Sequence, residues 1–301
     1  MLPSVEDIKK TYKLIPRNFE ERVSPRKWFK NKPFYVNLAY LIGKATGDVH
    51  ISKSFGHVTF SDHDKVTLNK LKYFIIQNFR VEEYKFHIWK TEAWGVGYAM
   101  YVSDALLTRL LHSAGAPKGK KVETKFSVPL WFYKDEEYIR NYLIGIFEDE
   151  LTTIKIAKKS HSIKPQFKMA KCTRLLESHW RFMEQIRNSL MFFNIECGKI
   201  NKIRSNKAAK TWDLYFAIQR NKRNILKFEK NLGFKFDIDR LKKLKHCCKI
   251  LKNTLGPEIN REKLIFFRKR GLSIRQIAGK TGISRSHVHR LLQKYKKEGI
   301  F

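Results

Sequence analysis

Apolar residues recur at helical spacing in two stretches that lie about a hundred residues apart and share a core sequence. The first reads Ala39-Tyr40-Leu41-Ile42-Gly43-Lys44-Ala45-Thr46-Gly47-Asp48-Val49, the second Tyr142-Leu143-Ile144-Gly145-Ile146-Phe147-Glu148-Asp149-Glu150-Leu151. Leu38, Leu41, Ile42 and Ala45 form the apolar stripe of one, and Tyr142, Leu143, Ile146 and Phe147 that of the other. After each stretch the period changes in the same order. Behind the first, alternation over 49–52 and 58–60 predicts a hairpin around Ser54-Phe55-Gly56. Val66, Leu68, Leu71, Phe74, Ile75 and Phe79 then predict a helix over 64–79, followed by strands over 84–89 and 98–102, a helix over 104–113 and a turn over 115–119. Behind the second, strands are expected near 153–158 and 166–171, a helix over 174–193, strands near 199–203 and 212–218, and a helix over 221–232.

An internal repeat of this kind is an architectural statement. The expected fold class is α+β: two pseudo-symmetric αββαββα halves that together form a saddle, with an all-α region behind them. A basic amphipathic helix over 238–255 ends at Gly256-Pro257, and a helix over 258–270 follows. The run from Leu272 to Leu292 has helix-turn-helix spacing, with Ile274, Ile277, Ile283, Val288 and Leu291 as its core and Ala278 where the helices cross. Gly282 can take positive φ in the turn, and Ser284 can cap the second helix. The expected division is a basic lead-in at 1–33 with one short helix over 5–12, halves at 34–132 and 133–256, and a helix-turn-helix at 257–301.

Glycine inside a helix costs roughly 1 kcal/mol against alanine. Gly43, Gly47 and Gly145 therefore make sense where another backbone must come close, which predicts that the two helices pack on each other. Asp48 and Glu150 each stand five residues beyond a shared glycine, at a helix C-terminus where the macrodipole disfavours negative charge. Pairing the helices brings the two carboxylates together, which is costly unless a cation sits between them. Mg²⁺ accepts carboxylates and backbone carbonyls.

Charge narrows the partner. Lys plus Arg number 62 against 28 acids, a formal net charge of +34, and such a chain attracts a polyanion. No apolar run approaches 18 residues and no signal-peptide pattern is present, so no membrane is expected and the protein is placed in the cytoplasm. With 43% hydrophobic and 13% aromatic residues, the 301-residue chain should fold into domains with proper cores. Cys172, Cys197, Cys247 and Cys248 lack metal-ligand spacing and read as reduced bystanders. Basic residues recur on the strands of both halves, among them Lys53, Lys85, Lys155, Lys168, Arg204 and Arg220. They predict a β-surface that follows the phosphates of a duplex and reads base edges in the major groove. The second helix of the C-terminal pair would present Arg285, Ser286, His287, His289 and Arg290 to a groove.

The two stretches resemble the motifs of the LAGLIDADG homing endonuclease family, in its single-chain form with two motifs. Gly47-Asp48 matches the archaeal form of the motif, with Val49 in place of its last glycine; Glu150 matches the second acid, with Leu151 where glycine is usual. The run Gly115-Ala116-Pro117-Lys118-Gly119-Lys120-Lys121, then Val128-Pro129-Leu130-Trp131, is similar to a further pair of segments in archaeal members. The C-terminal stretch resembles the helix-turn-helix of recombinases and transposases. The first resemblance, covering roughly residues 35–255, implies a metal-dependent nuclease that cuts both strands of a long asymmetric DNA target and leaves short 3′ overhangs. It implies a monomer with internal pseudo-twofold symmetry and two or more Mg²⁺ ions between the motif acids. Asp48 and Glu150 would be ligands and catalytic groups, helped by the carbonyls of Gly47 and Asp149. A lysine supports the hydrolytic water in each family half-site: Lys120, or its neighbour Lys121, holds that place after the first half, and Lys235 and Lys242 are candidates for the second. The alternatives are a non-catalytic DNA-binding regulator on the same scaffold, as in the WhiA family, and an intron RNA maturase. A splicing chain of this family would usually begin with Cys or Ser and end in Asn, whereas this one begins Met1-Leu2 and ends Ile300-Phe301, so a free-standing protein is expected.

Overall fold

The repeated helices, α3 (Lys32–Thr46) and α6 (Glu136–Glu150), lie side by side at the centre of the protein. The computed structural model describes residues 1–92, 97–152, 165–206, 210–253, 257–281 and 283–300. Asn31 and Asp135 cap the two helices, accepting hydrogen bonds from the Phe34 and Glu137 amides, and Lys32 at the start of one pairs with Asp135 and Glu137 of the other at 2.7 Å. Leu38, Ala39, Tyr40, Leu41, Ile42, Tyr142, Leu143, Ile146 and Phe147 are all fully buried. Both helices are thus wrapped on nearly every side.

Each motif helix leads into an antiparallel sheet. In the first half β1 (His50–Ile51), β2 (Val58–Asp62), β3 (Phe86–Thr91) and β4 (Gly97–Val102) line up in the order β1-β2-β4-β3. Helix α4 (Lys65–Phe79) sits between the two strand pairs and α5 (Ala105–Ser113) follows them, capped by Asp64 and Asp104. In the second half β5 (Gln166–Cys172), β6 (Asn201–Asn206) and β7 (Thr211–Ala217) take the order β5-β7-β6, with α7 (Leu176–Phe192) between and α8 (Lys222–Asn231) after. The two sheets therefore share a connectivity. The expected strand near 153–158 lies outside the described residues, though a bridge from Leu151 to Phe167 starts the pairing of the exit from α6 with β5. Helix α9 (Ile238–Asn253) completes this body through Leu244, Cys247 and Cys248, and all four cysteines are free.

The basic lead-in at 1–33 packs into the main core. Helices α1 (Val5–Lys9) and α2 (Phe19–Val23) place Ile8, Phe19 and Trp28 in the main core, where Trp28 Nε1 donates to the Phe79 carbonyl at 3.0 Å. Arg26 donates to Asp104 Oδ2 at 2.6 Å and to the Arg80 carbonyl at 2.6 Å. Burial would lift the Asp104 carboxyl, yet Arg26 and Lys85 hold it below its usual value. Pro16 and Pro25 interrupt helices here without preventing burial of the apolar residues between them.

The C-terminal helices α10 (Pro257–Lys269), α11 (Ile274–Thr281) and α12 (Arg285–Lys297) close over a separate core of Leu264, Ile277, Val288, Leu292 and Tyr295. Ser284 caps α12, its hydroxyl accepting from the His287 amide. The fold as a whole is mixed α and β with antiparallel sheets and a helical C-terminal region. Among the described residues no helix is long and apolar enough to cross a membrane.

Candidate functional site

Glycine brings the motif helices into backbone contact. A Cβ on Gly43 would stand 2.2 Å from the Tyr142 carbonyl oxygen, and one on Gly145 would stand 2.3 Å from the Tyr40 carbonyl oxygen. Near the C-terminal ends a Cβ on Gly47 would meet Asp149 Cβ at 2.5 Å. The two helix ends, and the acids that follow them, are held together by this contact.

The three consecutive acids of the second motif do different things. Glu148 is buried: it accepts the Tyr40 hydroxyl with one oxygen and the backbone amides of Lys235, Phe236 and Asp237 with the other, at 2.5, 2.7 and 3.3 Å. It ties the first motif helix to the segment that starts α9. Asp149 pairs with Lys44 of the facing helix and accepts from the Asp48 amide at 3.0 Å. Burial opposes the Lys44 charge, but Asp149 and Glu148 outweigh it and keep that ammonium firmly protonated. Glu150 is left as the carboxylate that meets Asp48. Burial and then the Asp48 charge push its pKa up to about 8. Asp48, which solvent still reaches, is also raised by its crowded setting and by Asp149. Each acid resists ionising first because it is buried and then because a neighbouring carboxylate is near, Asp149 for Asp48 and Asp48 for Glu150.

Basic groups gather on this pair. Lys121 has its Nζ buried with no hydrogen-bond partner; burial lowers its pKa, while Glu150, Asp149 and Asp48 act the other way. Of the two lysines expected at this place, Lys121 is the one in the field of the acids, and Lys120 points outward with a side chain 76% exposed and Glu123 at 3.8 Å. Lys120 has extended backbone just before the short turn at Lys121–Glu123, and in extended backbone successive side chains leave on opposite sides. From the second half, Arg240 donates to the Leu151 carbonyl at 2.9 Å and the Phe147 carbonyl at 3.3 Å, and its charge favours ionisation of Asp48. Lys235 does not serve here: its ammonium lies over the rings of Phe74 and Tyr40, at 4.2 and 4.7 Å. Arg240 is absent from the sequence-based candidates, although the repeat offers a signal, since it lies beyond α8 at nearly the spacing at which Lys121 lies beyond α5.

Two raised carboxylates at adjacent helix ends suit a hard divalent cation, which takes oxygen donors and relieves the repulsion between them. Among the described residues no three His, Cys, Asp or Glu side chains converge on one point. Backbone carbonyls such as those of Gly47 and Asp149, water and substrate oxygens would complete the coordination.

The expected nucleic-acid contacts divide. Lys53 is exposed in the β1–β2 loop, and Arg220 is exposed just after β7. Lys168 lies on the outward face of β5 opposite Tyr215, half exposed and 2.6 Å from Asp213. Arg285, Ser286, His289 and Arg290 are all exposed along α12. Lys85 is not on a strand face; it sits in a tight turn before β3 and pairs with Glu82 at 2.6 Å and Asp104 at 3.0 Å. Arg204 pairs across from Trp212, on the face of the sheet that also carries Lys171 and Leu214, opposite to that of Lys168. Lys155 lies outside the described residues. The outward face of the first sheet is aromatic as much as basic, with His57 stacked on Tyr101 at 4.4 Å and His87 on Trp89 at 5.5 Å.

Comparison with known proteins gives three kinds of match. Residues 258–300 fit the homeodomain-like domain family. The chain is 28% identical over 235 residues to tRNA-splicing ligase RtcB of Methanopyrus kandleri and 27% identical over 219 residues to that of Pyrococcus furiosus. These matches take in 74% and 69% of this chain but span only 23% and 22% of the ligases. Among solved structures, homing endonuclease I-DmoI is similar at TM-score 0.46 and 14% identity, covering 71% of this chain and all of that one. The N-terminal LAGLIDADG domain of DUF199/WhiA is similar at TM-score 0.43 and 14% identity, covering 77% of this chain and 98% of that domain.

Proposed function

We propose that this chain is a site-specific double-strand DNA endonuclease of the homing type, acting inside the cell as a monomer whose two halves each attend one strand. The observation that carries the reading is the pair of helix-end acids Asp48 and Glu150, both raised in pKa first by burial and then by a neighbouring carboxylate, with the unpartnered Lys121 ammonium in their field. A protein that only binds DNA gains nothing from carboxylates set against phosphate. Bound Mg²⁺ would supply the charge that activates a water and stabilises the leaving 3′ oxygen. The chain's own groups do the rest. Asp149 and Lys44 fix the spacing of the helix ends, and Lys121 is free to orient the attacking water. Arg240 adds positive charge on the Asp48 side. Hydrolysis breaks the bond between phosphorus and the 3′ oxygen, leaving a 5′-phosphate and a 3′-hydroxyl; the family resemblance adds short 3′ overhangs.

The test is incubation with a randomised plasmid library. Discrete double-strand breaks that need Mg²⁺ and vanish on chelation are expected. Tight binding with no breaks under any divalent ion would instead make the protein a DNA-binding regulator, and cleavage or binding confined to RNA would make it a maturase.

Binding should be electrostatic whatever follows it. With exposed Lys53, Lys168 and Arg220 on one body and Arg285 and Arg290 on α12, log Kd against log salt should rise by about 0.9 per phosphate neutralised. Titration by fluorescence anisotropy between low and physiological salt checks this, and an affinity indifferent to salt would remove the basic-surface reading. Deleting residues 257–301 should weaken binding while leaving cleavage measurable at higher protein concentration. Among the described residues the C-terminal helices have their own core, separate from the main one.

A further inference from the structure

Strand β5 alternates Phe167, Met169 and Lys171 on its inward face, so a lysine occupies what should be an apolar slot. Lys171 is 2% exposed. Its ammonium lies 3.6 Å above the Phe126 ring and donates to the backbone carbonyl of Lys121. The cost of burying this cation is evident, for desolvation draws its pKa down to about 7. Hydrophobic residues of similar length would fill the slot at less cost, and phosphate contact cannot explain a group that solvent does not reach. What the ammonium holds is the backbone of Lys121, whose own unpartnered ammonium lies in the field of Asp48 and Glu150.

The repeat shows that the device is one-sided. Leu151 faces Phe167 as Val49, at the register of β1 on β2, faces Phe60, so Phe60 matches Phe167 and the position matching Lys171 is Asp64, the cap of α4. One half therefore has a buried cation behind its catalytic-loop lysine and the other has a carboxylate at the equivalent place.

We propose that Lys171 is a positioning residue, which clamps the Lys121 backbone so that one of the two strand cuts is faster than the other. This rests on the endonuclease reading above. Lys171 does not touch substrate; it fixes where Lys121 sits, and a displacement of about 1 Å at such a group costs on the order of a hundredfold in rate.

The test follows supercoiled target plasmid with the wild type, Lys171→Met and Lys171→Arg. Methionine keeps the length and apolar stem of the side chain and removes the donor, so folding should survive. The wild type should pass briefly through nicked circles. Lys171→Met should accumulate nicked circles, with one strand's cut slowed ten- to a hundredfold and the other unchanged, at unaltered DNA affinity. Arginine, which can still donate to the carbonyl, should restore part of the slow cut. Equal slowing of both strands, or no change in either, overturns the proposal. A second readout does not depend on cleavage. In protein labelled with ¹³C and ¹⁵N lysine, the Lys121 side-chain signal, assigned through Lys121→Arg, should move in Lys171→Met and return towards its place in Lys171→Arg. If the wild type cuts nothing, the endonuclease reading fails by itself; an unmoved Lys121 signal would sink the clamp whether or not DNA is cut.

Discussion

Asp48→Ala and Glu150→Ala are each expected to abolish double-strand cleavage, and Lys121→Met to slow it by on the order of 10² to 10³-fold, the usual cost of one preorganised charge at a reacting phosphate. Lys120→Met, in which an exposed lysine one residue away is lost, should cut nearly as the wild type does. The contrast between neighbours makes the prediction sharp, because both lysines carry the same charge and any general loss of DNA attraction would touch them alike. Rates measured at saturating protein on a single target separate the two. Should Lys120→Met prove the damaging change, the side-chain placement in the Lys121–Glu123 turn would be wrong.

The same acids should weaken the metal-free protein. Glu150 holds its proton up to about 8 in the folded state, against 4.5 for its unperturbed value. Between those values the folded chain binds more protons than the unfolded one, so stability is fully present below about 4.5 and falls as pH rises through the window. Glu150→Gln, which cannot ionise, should therefore stabilise the metal-free protein at pH 8 by on the order of 1 to 3 kcal/mol, and by little at pH 4 to 5. Urea unfolding in chelator at the two pH values measures it. Adding Ca²⁺ should raise the melting temperature of the wild type and not of Glu150→Gln. A site built for cation binding is predicted to be a liability when the cation is absent.

How far the sequence carried these assignments depends on which physical signal each one used. The repeated Tyr-Leu-Ile-Gly, the helical periods and the cap at Ser284 are local patterns, and the helices and strands formed where those patterns lie. Close packing of α3 on α6 was readable because glycine in a helix has a cost that only a close approach explains. The acid run Glu148-Asp149-Glu150 was harder. Three neighbours on a helix point in three directions, and which one meets the tyrosine, the lysine or the facing aspartate is set by the partner helix. Strand alternation says which residues share a face, but not which face is covered. Arg204 stands among the expected outward residues on charge alone, although it faces Trp212 on the side of the sheet that carries Phe167, Met169 and Lys171. Lys85 was misjudged because a tight turn precedes β3 and breaks the alternation one residue early. The burial of Ile8, Phe19 and Trp28 left no periodic trace, since short helices separated by prolines present too few turns to show a stripe.

Gly43→Ala and Gly145→Ala should destabilise the fold by about 1 to 3 kcal/mol each, and more where the helices cannot part, since the added carbon meets a backbone carbonyl in both cases. The contacts would be 2.2 and 2.3 Å, far inside van der Waals distance, and neither oxygen can turn aside without breaking a helix. Helix propensity alone would favour alanine by roughly 1 kcal/mol. Gly279 isolates that opposite sign: it lies inside α11 with nothing within 4 Å, so Gly279→Ala should stabilise. Guanidinium unfolding of the three variants tests both directions in one experiment. Relief of the clash requires α3 and α6 to separate, and Asp48 and Glu150 sit at the ends of those helices. The glycine variants that remain folded should consequently bind DNA with little change while cutting it slowly, because the carboxylates would stand too far apart to share their cations. A Gly43→Ala protein as stable and as active as the wild type would mean that the helices do not touch there, and the argument for a shared centre would go with them.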